Sequence, residues 1–175
     1  MASRCCTERG FTALELLVAI AIAAVLAALA VPGFGPLRRS AGIGSSANQM
    51  LWALHYARSS AILRNLPTVL CLSADGNSCL TAAGATANGW IVFHHPARSS
   101  PIQVDAGDQV LHRLTLPRDI TVSGTRAAVT YWPTPRGGTT STFKLCDERG
   151  DSQGRSVVVS QTGRPRVAGA VSCAP

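Results

Sequence analysis

The stretch Arg9-Gly10-Phe11-Thr12-Ala13-Leu14-Glu15-Leu16-Leu17 limits what this chain can fold into more than any other. A short charged leader ends at a glycine, and from Phe11 to Val31 the side chains are apolar apart from Thr12 and Glu15. As a helix, that segment is long enough to cross about 30 Å of hydrocarbon. Such a segment cannot share a water-filled exterior with the rest of a globular domain, so it must be buried in lipid or in other helices. Glu15 stands out inside it. An aspartate costs about 2.5–3.5 kcal/mol at the centre of a membrane helix, and an ionisable group there is a functional candidate by default. An ordinary secretory signal offers a rival reading, with Arg4 and Arg9 as its basic start and Ala28-Leu29-Ala30 as its cleavage site. Glu8 and Glu15 both argue against it, because acids do not belong in a signal of that type.

The 175 residues fit one domain behind this segment. Roughly 140 residues remain after the leader and stem, enough for a single core. The formal net charge is +7, and Lys144 is the only lysine, so the positive charge is carried by arginine. Arginine favours bidentate contact with carboxylate or phosphate. Without Arg4, Glu8 and Arg9 the chain keeps about +6. Cys5 and Cys6 lie in the leader, leaving Cys71, Cys79, Cys146 and Cys173. An even number in an exported domain reads as disulfides, and four cysteines allow three connectivities. Cys71–Cys79 and Cys146–Cys173 are favoured, because each pair closes a local loop. A zinc site is the alternative, but no C-x-x-C occurs and His55, His94, His95 and His112 show no ligand spacing. No metal and no cofactor are therefore expected.

After Pro32-Gly33-Phe34-Gly35-Pro36 the backbone is expected to loosen, and Arg38 and Arg39 mark a membrane-proximal stretch. From Ser45 to about Asn65 the pattern is helical: Ala47, Met50, Leu51, Leu54, Ala57 and Ala61 make one apolar stripe. Ser45 or Ser46 is positioned to cap its start, and Pro67 to stop it. The remainder reads as strands: Thr68–Leu72, Trp90–His94, Val110–Leu114, Thr121–Ser123, Ala128–Trp132, Thr142–Cys146, Ser156–Ser160 and Arg166–Val171. The fold class is α+β, a long N-terminal hydrophobic helix packed on a globular domain of small antiparallel β-sheets.

The Gly-Phe-Thr-x-x-Glu junction resembles the class III signal of type IV prepilins and pseudopilins. That resemblance implies cleavage by a prepilin peptidase between Gly10 and Phe11 and N-methylation of Phe11. It assigns Glu15 to pairing with the N-terminal amine of a neighbouring pilin subunit. Pro32, twenty-one residues after Phe11, matches a recurrent helix-kinking proline of pilins. The implied organisation is a leader at 1–10, a transmembrane and assembly helix at 11–37, and a periplasmic domain at 38–175. The protein would pass once through the bacterial inner membrane and reach the cell surface when assembled into a pilus.

The globular part resembles the FimT/GspH family of minor pilins and pseudopilins. The segments that carry the likeness are Ala57-Arg58-Ser59-Ser60-Ala61-Ile62-Leu63-Arg64-Asn65, Asn88-Gly89-Trp90-Ile91-Val92-Phe93, Phe143-Lys144-Leu145-Cys146-Asp147 and Arg155-Ser156-Val157-Val158-Val159-Ser160. The first departs from the family where Ser60 stands in place of a common acid. These are core and turn residues, and they specify fold.

Chemistry enters at Gln161-Thr162-Gly163-Arg164-Pro165-Arg166. Gly163 is expected to supply an unusual backbone angle in a hairpin turn, and Pro165 biases Arg164 towards extended geometry. Arg164 and Arg166 then share a side, about 6–7 Å apart. Two phosphates along one DNA strand are separated similarly. Gly-Arg-x-Arg at this place resembles the DNA-binding motif of the FimT-like branch, which takes up DNA in natural transformation. It implies contact with the phosphate backbone of double-stranded DNA, independent of sequence. Arg155, Arg149, Arg136 and Lys144 are candidates to extend the patch. A solvated turn is the bland alternative. The rival functions are a GspH-like pseudopilin of a type II secretion fibre and a minor pilin needed only for assembly. No G-x-S-x-G elbow, P-loop, H-E-x-x-H or paired-carboxylate motif occurs, so no enzyme is expected.

Overall fold

The computed structural model describes residues 12–30, 34–97, 99–134, 139–149 and 154–173. The chain forms two compact units, residues 1–39 and 40–175.

In the first unit, helix α1 spans Ala13–Ala30. Its start is a capping box. The Thr12 backbone N–H and hydroxyl donate to Glu15 Oε2 at 3.2 and 3.3 Å, and the Glu15 N–H donates back to Thr12 Oγ1 at 3.2 Å. Each group satisfies a donor that a helix start otherwise leaves unpaired. Glu15 therefore has a local structural role in addition to the one its charge suggests. Leu14, Leu16, Leu17, Val18, Ile20, Ile22, Val25 and Leu26 are all more than half exposed. Among the described residues no helix is long and apolar enough to cross a membrane. Helix α1 has 18 residues, about 27 Å at 1.5 Å each, and Phe11 and Val31 fall outside the described set.

Helix α2 runs Phe34–Arg64, starting well before the expected Ser45. Pro36 sits in its first turn, where backbone N–H groups lack helical partners in any case. Ser45 and Ser46 are consequently mid-helix and cap nothing; Ser46 is buried. The apolar stripe is Ile43, Ala47, Met50, Leu54, Ala57 and Ala61, each at most 1% exposed. The helix ends because Asn65 turns into the left-handed region, with φ 52°, ahead of Pro67.

Among the described residues eight strands follow: β1 (Thr68–Ser73), β2 (Gly89–His94), β3 (Gln109–Thr115), β4 (Ile120–Gly124), β5 (Ala128–Tyr131), β6 (Ser141–Asp147), β7 (Gly154–Val159) and β8 (Pro165–Val171). They make two antiparallel four-stranded sheets, ordered β3-β2-β1-β5 and β4-β6-β7-β8. Ala87 and Val122 exchange backbone hydrogen bonds of 2.8 and 3.0 Å and stitch the sheets together. Strand alternation divides the burial. Leu70, Leu72, Trp90 and Val92 of the first sheet, and Phe143, Leu145, Val157 and Val159 of the second, join the α2 stripe in one core. The opposite face of the first sheet carries a smaller core of Val69, Cys71, Cys79, Ile91 and Phe93, covered by Ile102 and Val104 of the β2–β3 loop. The opposite face of the second sheet, carrying Thr142, Lys144 and Val158, is half-buried and opens to solvent at β8.

Both expected disulfides are present, Cys71–Cys79 and Cys146–Cys173. A Cβ on Gly154 would collide with Cys173 Sγ, so only glycine lets the C-terminal strand lie against β7 there.

His94 is 1% exposed, with Nδ1 2.8 Å from Thr68 Oγ1. Burial, then the charge of Arg64, lowers its pKa from 6.5. An unfolded chain takes up that proton near pH 6.5 while the folded one resists it. The contribution is thus fully present above pH 6.5 and lost as pH falls below it. The melting temperature should fall on acidification from pH 7.5 to 5.5. The fall should be smaller in His94→Gln, and an equal fall in both would remove His94 as its source.

Candidate nucleic-acid interface

The Gly163–Arg166 segment is the end of the β7–β8 hairpin. Gly163 takes φ 71°, and its N–H donates to the Ser160 carbonyl at 2.8 Å. Ser160 organises the rest. Its N–H donates to the Arg164 carbonyl at 3.1 Å, and its hydroxyl accepts from the Arg164 N–H at 3.2 Å. A side chain that bonds backbone in this way fixes a turn without help from the core. Gly163 and Pro165 are buried, while Arg164 and Arg166 are exposed. Pro165 pairs with Val159 and opens β8, the edge strand, where its missing N–H removes no interior ladder bond. The alternation of exposed, buried, exposed puts both arginines on one side, about 6–7 Å apart along the strand.

Register shows which candidates join them. Arg166 pairs with Val158, and Val158 with Thr142, so all three share the outer face of the sheet. Lys144 lies on that face too, opposite Ser123 and Ser156. Two strand spacings and two residues separate it from Arg166, about 12 Å. Arg155 is exposed but pairs with Leu145, a core residue, so it stands on the other face. Arg149 is engaged elsewhere. Its Nε donates to Asp147 Oδ2 at 2.6 Å and its Nη1 to Ser40 Oγ at 3.1 Å, bracing the β6 end against the start of the domain helix. Arg136, Gly10 and Phe11 lie outside the described residues.

One basic residue was missed by sequence reasoning. Arg126 is exposed and walls a groove of about 530 Å³ with Thr125, Thr140, Thr142 and Val158. Val158 is the pairing partner of Arg166, so the groove lies beside the arginine turn. Its backbone is fixed by Ser141: the Arg126 N–H donates to Ser141 Oγ at 3.3 Å. Nothing in the sequence around Arg126 marks it, since its proximity to the turn arises only from sheet pairing. Guanidinium groups and hydroxyls along an open groove are the donors that phosphate oxygens accept.

Three comparisons bear on this arrangement. A family model described as type II transport protein GspH matches residues 46–163, about two thirds of the chain. Arg164 and Arg166 fall just beyond the matched range. The prokaryotic N-terminal methylation motif matches residues 6–31. No curated protein sequence matches the chain. Among solved structures, the type IV minor pilin FimU of Pseudomonas aeruginosa is 22% identical, with a TM-score of 0.55 over 75% of this chain and 99% of that one. The minor pseudopilin EpsH from the type 2 secretion system of Vibrio cholerae is 13% identical, with a TM-score of 0.54 over 73% and 97%. A methylation motif followed by this domain is thus what the sequence and fold agree on, and the chain belongs to the GspH family, with the fold of minor pilins and pseudopilins.

Proposed function

We propose that this chain is a FimT-like minor pilin that binds double-stranded DNA without sequence preference through Arg164 and Arg166, serving DNA uptake in natural transformation. The observation that carries the reading is the turn itself: two exposed arginines, one residue apart, on a segment held by Ser160 and the buried Gly163 and Pro165. Arg126 across the groove and Lys144 on the same face add positive charge. Contacts of this kind position a duplex and carry no base information. A fibre presenting several copies gains avidity from effective concentration. The protein's role is binding, with no catalytic step of its own.

The N-terminal half of the proposal is processing and assembly. The methylation motif supports cleavage between Gly10 and Phe11, N-methylation of Phe11 and a single-pass inner-membrane stage, with the globular domain in the periplasm. Glu15 then pairs with a neighbouring subunit's terminal amine. Because Glu15 also caps α1, two variants separate its roles. Glu15→Gln keeps a capping side chain but loses the charge; Glu15→Ala loses both. Both should fail to enter fibres, measured as sheared pilus content. Normal incorporation of Glu15→Gln would leave capping as the only role.

DNA binding is tested with the whole chain in detergent, titrated against salt beside Arg164→Ala/Arg166→Ala. Binding that weakens with salt and is largely lost in the variant supports the reading. Equal binding by both proteins removes the turn from it. No binding by either leaves the structural pseudopilin reading, which the family description favours.

A further inference from the structure

We propose that the neck of the β2–β3 loop is a divalent-cation site, with His95 Nδ1 and a carboxylate oxygen each of Asp105 and Asp108 as ligands. One donor atom from each of the three lies within 4.8 Å of the others. His95 Nδ1 is 2.9 Å from Asp108 Oδ2. Adjacent ligands on a cation with ~2.1 Å bonds stand about 3 Å apart in an octahedron and about 3.4 Å apart in a tetrahedron, so this pair is already near the spacing of adjacent coordination positions. The other ring nitrogen faces Ser99, with Oγ at 3.2 Å and the carbonyl at 3.5 Å. A ligating histidine needs such an acceptor for its remaining N–H, because that contact fixes the tautomer and the ring.

Charge gives an independent reason. His95 is 3% exposed and the Asp108 side chain 1%. Among the described residues no arginine or lysine lies within ion-pairing distance of Asp105 or Asp108. The Asp108 carboxylate faces His95 Nδ1 and accepts from the Asp105 N–H, both at 2.9 Å, so it is hydrogen-bonded, but among the described residues His95 is its one side-chain partner of opposite charge, and a buried charge so sparsely paired is costly. A proton on His95 neutralises one negative charge of the pair; a divalent cation neutralises both. Asp105 is exposed, which leaves an open side for water ligands. Mixed imidazole and carboxylate donors suit Zn²⁺ and Mn²⁺.

The same residues superficially offer a Ser99-His95-Asp108 relay. The Ser99 hydroxyl, however, donates to Asp105 Oδ2 at 2.9 Å, so its hydrogen is not directed at His95. The Asp105 N–H donates to Asp108 Oδ2 at 2.9 Å and the Asp108 N–H to the Asp105 carbonyl at 3.0 Å, a turn that brings the Asp105 carboxylate beside His95, where a cation can use it. A cation also gives the site a purpose. His95 and Asp108 are the two ends of the loop that lays Ile102 and Val104 over the smaller core. A cation held by both ends clasps that loop shut.

The test uses the full chain with Cys5→Ser/Cys6→Ser, so that no free thiol competes, dialysed against Zn²⁺ and analysed for metal. One Zn²⁺ per chain is expected, with a higher melting temperature, and both are lost in Asp105→Asn. That variant keeps an acceptor for Ser99, so the fold survives it. Mn²⁺ in place of Zn²⁺ should broaden amide signals within residues 95–108. No retained Zn²⁺, retention unchanged in Asp105→Asn, or Mn²⁺ broadening centred elsewhere overturns the proposal.

Discussion

Replacing Cys146 and Cys173 by serine is expected to cost about 3.5 kcal/mol of stability, from the loop-closure entropy of a cross-link separating residues by 27 positions. For a domain of this size that is a fall of roughly 10 °C or more in melting temperature. The loss should fall unevenly. The bond ties Cys173, two residues past the β8 end, to Cys146 near the end of β6, and β8 is an edge strand with only β7 beside it. Without the bond, β8 frays first, and Arg166 is its second residue. Hydrogen exchange should therefore accelerate in β8 before it does in β1 or β2, and DNA binding should weaken well below the melting temperature. The Cys71–Cys79 pair separates its residues by only 8 positions and encloses a loop already held by Asp75, whose carboxylate accepts from the N–H groups of Asn77 and Ser78 at 2.8 Å each. Its removal should cost about 2.5 kcal/mol and leave DNA binding unchanged. Equal effects of the two pairs on DNA binding would break the link between the C-terminal bond and the interface.

The second large effect is expected from Arg164→Ala/Arg166→Ala. Each phosphate contact contributes about 0.9 to the slope of log affinity against log salt, so the double variant should lose up to about 1.8. At roughly 0.1 M salt this corresponds to a ten- to hundredfold loss of affinity. The melting temperature should be unchanged, because both side chains are exposed and the turn is held by Ser160 and Gly163 instead. Arg126→Ala should lower the slope by about one contact or less, since it stands across the groove. Arg149→Ala should act differently, lowering stability through its bonds to Asp147 and Ser40 and leaving the slope alone.

Eight strands were legible because β-branched and aromatic residues cluster between glycine and proline breaks, and alternation within each run fixes which side faces the core. The start of α2 was not legible. Gly35, Gly42, Gly44, Ser45 and Ser46 are poor helix formers and read locally as a break, but Ile43 packs into the core one turn before the apparent stripe begins. The arginine turn was readable because four adjacent residues determine it. Its surroundings were not. Lys144 joins it and Arg155 does not, a distinction made by β6–β7 register. Arg149 reads as one more surface cation until its bond to Asp147 is seen. His95, Asp105 and Asp108 match no ligand spacing, because a loop of irregular path brings them together. The Thr12-x-x-Glu15 capping box was visible in the sequence, yet the charge of Glu15 drew the functional reading first.

That capping box has a consequence for assembly. The carboxylate that a neighbour's amine would recruit already accepts from the Thr12 N–H and hydroxyl, and releasing it opens half of the capping box while the Thr12 hydroxyl still caps the Glu15 N–H. A lone subunit is thus the self-satisfied form, with its charge folded back on itself. If Glu15 pairs with a neighbour's amine as proposed, entry into a fibre is an exchange of partners, in which that amine displaces the Thr12 hydroxyl and amide three residues away.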